Sequence, residues 1–594
     1  MPGERTDIDI ADAADAADED FLRQVPLFAD LSDAQRSRVL AAAETVQIPA
    51  GGWLFKAGDP GDALYVVRHG RLEVVRDDVV IRVLGAGAAL GELALLTEGD
   101  RSASVRARRE TEVLKVARAE FTSLLTGDPA FAVALTRTLG DQLQRTAVAA
   151  APATRSATVI TVVALQAHMQ LATARLVDKL AAALAHGAET VHLLRGSHID
   201  VDPNEYGRML DRCEGQYDHV LLAADDPDDD SPWNDFCLRQ ADRVVGVADP
   251  GAGGLPAGLA GLTGVTDLVS VARVVRATTI GPWLEALRPE AHHHVDPGQG
   301  FDKGVERLGR RLAGRAVGVV LSGGGSRGMA HIGVFAALEE AGVVVDRLGG
   351  TSMGSFVAGL AGLGLSPAEM VAVCREELVV RKPFNDYTVP RHSLIKARKA
   401  EAMLMRVFGE RRVEELERPF FAVSSDLLSG EEVIHRRGPL AVAVGISMCL
   451  PGLVPPVVAG DRLLVDGGVL NNLPVDIMAD SGEGPIIAVD VMRRPAPQGP
   501  KPVKARAARR ARPSPFGLFS PDDNLPSLVD ILARSTVLGS WRRAEANRAK
   551  AAVIITPELT DVGLLEFRRL DAIVERGYTA AQAAIASLPA LWRT

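Results

Sequence analysis

Cysteine is scarce: Cys213, Cys237, Cys374 and Cys449 are the only four in 594 residues. No two stand at redox or metal-ligand spacing, so the chain encodes neither a disulfide framework nor a zinc knuckle, and its composition fits a reducing cytoplasm. Positive charge is in deficit. Lys and Arg number 66 against 76 Asp and Glu, a net −10, which argues against a nucleic-acid coat, and no nucleic-acid partner is expected. A basic n-region followed by an apolar h-region is also missing; residues 4–20 hold eight acids and one arginine, so 1–20 reads as an acidic, disordered leader. The longest uncharged apolar stretch, 441–460, is interrupted by Pro451, Pro455 and Pro456, which would break a spanning helix. It reads as a buried strand and turn.

Hydrophobic residues make up 47% and charged residues 24%, close to globular averages, and at roughly 100 to 200 residues per domain the length calls for several domains. Residues 64–75 alternate in the strand period around the turn at His69-Gly70, and Leu124, Leu125, Phe131, Leu135, Leu139 and Leu143 predict a helix over 121–145. A β-roll plus helix is therefore expected over 21–150. An Ala-rich, Pro-containing linker follows at 146–157. Strands over 159–165, 190–194 and 217–223, with a helix over 171–185, predict a degenerate α/β domain over 158–300. From 315 to 594 a further α/β alternation runs, interrupted at 493–515 by a stretch with eight Lys or Arg and no acid. That stretch reads as a mobile basic loop able to meet an anionic membrane surface.

The apolar strand over 317–321 enters Ser322-Gly323-Gly324-Gly325-Ser326-Arg327-Gly328 and then a helix. Glycines at such a turn aim successive N–H groups into one concavity, suited to phosphate or an oxyanion. No Gly-Lys-Ser/Thr follows, so a nucleotide P-loop is disfavoured. Further on, Gly350-Thr351-Ser352-Met353-Gly354 stands between a strand and a helix, the setting in which a nucleophile elbow projects its serine. Asp466-Gly467-Gly468 follows another strand and precedes Asn471-Asn472-Leu473-Pro474. Over 315–480 these three motifs, in this order, resemble those of the patatin-like phospholipases. The resemblance implies an α/β hydrolase fold and a serine esterase acting on lysophospholipid or phospholipid. It implies Ser352 as nucleophile, Asp466 as general base, and an oxyanion site from Gly323, Gly324, Gly325, Arg327 and Gly328. Gly350, Gly354, Gly467 and Gly468 shape the elbow and the aspartate turn. It also implies a dyad without histidine, and no motif brings His331, His392 or His435 to Ser352. No cofactor is needed for that acyl transfer.

Nearer the N-terminus, Gly91-Glu92-Leu93-Ala94-Leu95-Leu96 precedes Arg101-Ser102-Ala103. A carboxylate can accept bonds from vicinal ribose hydroxyls, and a guanidinium clamps a cyclic phosphate with its fork of donors. The segment resembles the phosphate-binding cassette of cyclic nucleotide-binding domains. The resemblance implies a regulatory cyclic nucleotide, cAMP or cGMP, with Glu92 on the ribose, Arg101 on the phosphate, and Gly91, Leu93, Ala94 and Ser102 shaping the cassette. Asp100 stands where many members carry proline. No helix-turn-helix follows, which disfavours a transcription factor.

The middle segment lacks glycine and lysine where a nucleotide phosphate would sit, at Leu165 to Gln170. Its layout resembles the connecting region of neuropathy target esterase-like proteins, in particular shorter bacterial-type members with one nucleotide module. His292-His293-His294 has no second cluster at ligand spacing, so no metal is expected and the run reads as a solvated boundary segment. The five acids of 225–230 lack the glycine and glutamate of a calcium loop. The expected protein is thus a cytoplasmic lipid hydrolase in peripheral contact with the inner membrane face. The alternative is a catalytically silent cyclic-nucleotide sensor or scaffold.

Overall fold

The computed structural model describes residues 21–136, 158–492 and 532–592, apart from short gaps within them. The acidic leader, the linker over 146–157, the acidic run 225–230 and the basic stretch 493–515 lie outside the described residues, as do Leu135, Leu139 and Leu143. The chain divides into two compact units, 1–248 with 258–267, and 249–257 with 268–594.

In the first unit, β1 (Ala43–Ile48), β2 (Trp53–Phe55), β3 (Ala63–His69), β4 (Leu72–Arg76), β5 (Val79–Leu84), β6 (Ala89–Leu90), β7 (Ser104–Ala107) and β8 (Thr111–Ala117) form two four-stranded antiparallel sheets, ordered β1-β8-β3-β6 and β2-β7-β4-β5. Alternation along β3 serves two cores, because successive side chains leave opposite faces of a strand. Ala63, Tyr65 and Val67 pack with Leu72 and Val105 inside the roll. Leu64 and Val66 pack with Phe28, Phe121 and Phe131 on its outer side. That outer core holds the helix Arg118–Gly127, which begins three residues before the expected helix.

Further along the same unit, β9 (Thr158–Ala164), β10 (Val191–Arg195), β11 (His219–Ala223) and β12 (Arg243–Ala248) run parallel in the order β10-β11-β9-β12. The helix Gln170–Leu184 covers them through Thr173, Leu176, Val177, Leu180 and Leu184, one stripe at helical spacing. A connection no motif announces joins the roll to this layer. Arg109, fully buried between β7 and β8, donates to both carboxylate oxygens of Glu214 at 2.7 and 2.8 Å.

Beyond β13 (Val265–Val271), the second unit contains β14 (Ala291–Val295), which corrects one expectation. His292, His293 and His294 are a strand, not a solvated segment: His292 Nε2 lies 2.9 Å from Ser270 Oγ, His294 Nε2 donates to the Ala272 carbonyl, and His293 is buried. Burial pushes the His292 imidazole down to about 3. No group able to hold a metal occurs among the described residues.

The main sheet of the second unit comprises β15 (Gly318–Leu321), β16 (Arg347–Thr351), β17 (Phe420–Asp426), β18 (Glu432–His435), β19 (Val457–Ala459), β20 (Arg462–Asp466), β21 (Ile486–Val489) and β22 (Val553–Ile555). Its order is β19-β20-β17-β16-β15-β21-β22, with β18 also on β17. The five strands from β17 to β22 in that order are parallel. Those at the centre are buried throughout, as helices on both faces require, and so read as unbroken apolar runs. The stretch 441–460 differs from its expectation. It begins as the buried helix Leu440–Ser447, then turns into the short strand β19. No helix among the described residues is long and apolar enough to cross a membrane.

Candidate active site and ligand cassette

Because β15 and β16 are parallel neighbours with Leu321 opposite Gly350, both end at the same sheet edge, where ligands of open α/β sheets collect. The glycine loop leaves β15 there, and Ser352 leaves β16. On the other side β17 sets Val423 opposite Thr351, and antiparallel β20 sets Asp466 opposite Ser424. Pairing register alone therefore brings motifs more than a hundred residues apart to one level.

Ser352 has φ 54° and ψ −127°, a left-handed conformation that costs a non-glycine residue about 1 to 3 kcal/mol. Surrounding contacts hold it there. Its N–H donates to Ser447 Oγ at 2.9 Å, and Ser447 in turn donates to the Val423 carbonyl at 2.6 Å. Ser355 Oγ donates to the Ser352 carbonyl. The elbow lies so close to β15 that a Cβ on Gly354 would stand 2.3 Å from the Leu321 carbonyl oxygen. Gly350 meets the same crowding.

Asp466 is buried, accepts the Gly468 N–H at 2.8 Å and shares the pocket lining with Ser352. Burial pushes its carboxyl up to about 6, with the neighbouring Ser352 hydroxyl and the Gly468 N–H pulling the other way. A carboxylate poised there can take a proton from a neighbouring hydroxyl.

In the glycine loop, the Gly323 N–H is committed to the Asn472 carbonyl at 3.2 Å, whereas the Gly324 and Gly325 N–H groups have no backbone acceptor among the described residues. Gly325 has φ 55°, and a Cβ there would sit 2.3 Å from the Leu564 carbonyl oxygen. Arg327 is tied to neighbouring loops: its Nε donates to the Val562 carbonyl at 2.8 Å and its Nη1 approaches Met492 Sδ at 3.4 Å. Gly328 packs under Met353. Neither Arg327 nor Gly328 lines the pocket.

The pocket contains Ser352, Asp466, Asn472 and Gly323 to Gly325, walled by Met353, Phe384, Met448, Leu453, Val454 and Phe567. Among the described residues, Asp466 is its only charged lining residue and no histidine lines it. His331 donates to the Ser322 carbonyl from within the core, where burial pushes it down to about 4; His435 meets Ser424, and His392 is exposed.

Several supporting residues were invisible to the motifs. Ser540 Oγ donates to the Gly468 carbonyl, and Asn547 donates to the Leu473 carbonyl and to Asn471 Oδ1. The only local hint was the Asn471-Asn472 pair after the aspartate turn.

In the first unit, the cassette helix Glu92–Leu96 lies between β6 and β7, with Glu92 and Ala94 buried and Leu93 and Ser102 exposed. Buried Arg101 donates to Asp62 Oδ1 at 3.0 Å and to the Ala63 and Gly91 carbonyls, and it stacks 4.3 Å from the Phe55 ring centroid. Tyr65 flanks it at 5.4 Å. Asp100 is exposed, its backbone bridged to Pro60. Sequence reasoning missed Asp62, Phe55 and Tyr65, which lie far from the cassette in the chain.

Residues 319–479 match the Patatin-like phospholipase family, and residues 45–128 match the Cyclic nucleotide-binding domain. An uncharacterized NTE family protein of Mycobacterium tuberculosis is 34% identical, the match covering 96% of this chain and 97% of the relative. The lysophospholipase NTE1 of Pyricularia oryzae is 28% identical over 90% of this chain, and that of Candida albicans 28% over 94%. This chain spans less than half the length of those fungal proteins, 42% and 48%. With a patatin-like domain following a cyclic nucleotide-binding domain, and identity extending along nearly its whole length, the chain belongs to the NTE family.

Proposed function

We propose that this lipid ester hydrolase cleaves acyl esters of lysophospholipids or phospholipids with Ser352 as nucleophile and Asp466 as general base. The observation that carries the reading is that Ser352, at the strained elbow, and the buried carboxyl of Asp466, its pKa raised by burial, line one largely apolar pocket. Ser352 Oγ attacks the ester carbonyl while its proton passes to Asp466. The negative charge that develops on the carbonyl oxygen is met by the Gly324 and Gly325 N–H groups. Asp466 returns the proton to the departing alcohol, and water then repeats the sequence to release the acid. The apolar walls take the acyl chain. Arg327 serves by tying the glycine loop to Val562. A fluorophosphonate probe is expected to label the wild type and not Ser352→Ala; equal labelling would overturn the assignment.

Ser447 is a positioning residue in this scheme. Ser447→Ala would leave the Ser352 N–H buried without its acceptor, and kcat is expected to fall about tenfold or more at nearly constant KM. Ser447→Thr, which restores an oxygen, is expected to recover most of the loss. Equal kcat in wild type and Ser447→Ala would remove the role.

We infer that the cassette takes a cyclic nucleotide, with Glu92 toward the ribose and Arg101 toward the phosphate. Asp62 now uses an Arg101 donor that a phosphate would claim, and its mostly exposed side chain is free to yield. Calorimetric titration with cAMP and with cGMP is expected to show binding that Arg101→Ala abolishes and Asp62→Asn strengthens several-fold. No binding by wild type to either nucleotide would discard the site. Regulation of the esterase is a separate reading; couplings of this kind change activity or affinity about 5- to 150-fold. Ester rates unchanged by a bound nucleotide would keep the sensor and discard the coupling.

Membrane contact through the basic stretch 493–515 remains a proposal from sequence. The chain on either side of that stretch offers Met492 and Thr536, which both line the pocket.

A further inference from the structure

A second basic element stands among the described residues, joined to the pocket wall. Phe384 lines the pocket and stacks on Phe567, another lining residue, with ring centroids 5.8 Å apart. The chain then turns outward as a hairpin. Tyr387 bridges Ile395, the Thr388 N–H donates to the Leu394 carbonyl, and the returning arm pairs with the pocket loop through Leu394 N–H to Gly452 O at 2.9 Å and Ile395 N–H to Leu453 O at 3.1 Å. Ile395 is fully buried against Leu453 and Val454, which also line the pocket. The base of the hairpin is thus fixed to the acyl site.

Its outer part has the opposite character. Tyr387 is 70% exposed and Val389 81%, values that place a large aromatic and a branched apolar side chain in solvent. In the same stretch Lys382, Arg391, Lys396 and Arg398 are exposed, and none of the four forms an ion pair among the described residues. Arg381 is held by Glu376, and Lys399 donates to Asn385. The only acid between 381 and 399 is Asp386. Exposed apolar side chains accompanied by unpaired cations suit the interface of an anionic bilayer, where the apolar groups enter the headgroup layer and the cations meet lipid phosphates and carboxylates.

We propose that the hairpin over 384–395, with Lys382, Lys396 and Arg398 at its base, docks the enzyme on anionic membrane and sets the pocket entrance at the lipid surface. The proposal rests on the reading of this pocket as the lipid-cleaving site, and the experiment separates the two. Full-length protein carrying Ser352→Ala, which leaves the vesicles uncleaved, is sedimented with vesicles of phosphatidylserine and phosphatidylcholine and with phosphatidylcholine alone. Stronger binding to the anionic vesicles, falling with added salt, is expected. Arg391→Gln/Lys396→Gln/Arg398→Gln should weaken that binding about tenfold or more, given the contribution of each cation near such a surface. Tyr387→Ser/Val389→Ser should weaken it several-fold, while neutralising Arg509, Arg510 and Arg512 should have the smaller effect. In the Ser352 background, both hairpin variants should hydrolyse a soluble p-nitrophenyl ester at the wild-type rate, which also reports an intact fold, yet cleave vesicle lipid more slowly. Anionic binding untouched by the hairpin substitutions overturns the proposal, as does absence of binding. Binding that needs the cations but not Tyr387 and Val389 overturns it in favour of a soluble polyanion. Absence of soluble-ester turnover in wild type would instead strike the hydrolase reading alone.

Discussion

Asp466→Asn is expected to lower kcat/KM for a soluble ester by on the order of 10³- to 10⁴-fold, and Ser352→Ala by at least as much. An amide in place of the carboxylate can still accept hydrogen bonds but takes no proton at neutral pH. Both variants should fold, since neither changes a packed apolar contact. The wild type carries a second signature. Asp466 acts in its charged form, and burial raises its pKa to about 6, so activity is present above that value and is lost as pH falls through it. Each further unit down should then cost about tenfold, an acid limb absent from the residual rate of Asp466→Asn. Steady-state kinetics of the three proteins between pH 4 and 9, a range chosen to span roughly the carboxylate and neutral regions, would decide. Equal turnover in all three, or a wild-type rate flat through pH 6, would defeat the assignment.

Arg548→Ala is expected to cost stability of about 3 to 5 kcal/mol. Arg548 and Asp490 are both buried, and Arg548 Nε donates to Asp490 Oδ2 at 2.9 Å with a second bond from Nη2. Removing the guanidinium leaves a charged carboxylate in the core at the end of β21. Thermal unfolding of the hydrolase unit should shift down by roughly 10 °C. The double variant Arg548→Met/Asp490→Leu, which removes both charges and keeps the volume, should recover most of that loss. The consequence reaches the site, because the helix Trp541–Arg548 belongs to the segment whose Ser540 and Asn547 hold the Gly468 and Leu473 carbonyls. Ester turnover in the folded single variant should therefore fall as well. Unchanged melting in Arg548→Ala would show that the pair holds nothing.

What the sequence determined by itself were the features whose physical cause is local. A strand running into glycines and then a helix demands a particular backbone, so the glycine loop, the elbow at Ser352 and the turn at Asp466 were readable with their boundaries nearly correct. Alternation in β3 and the stripe of Leu176, Leu180 and Leu184 were readable for the same reason, since a period of two or near four records which face is buried. Short apolar runs carry no such period, which is why Leu440–Ser447 was expected as strand and folds as helix. His292 to His294 looked solvated because polarity alone does not show that a neighbouring strand supplies Ser270 and Ala272 as partners. Only the tertiary structure decided the rest. Ser447 reaches Ser352 across 95 residues, Asn472 reaches Gly323 across 149, and Arg327 finds Val562 across 235. A hydrogen bond leaves no trace in the spacing around either partner when only the tertiary fold brings them together, so the support of the site, the partners of Arg327 and the exposed hairpin at the pocket wall belong to the fold.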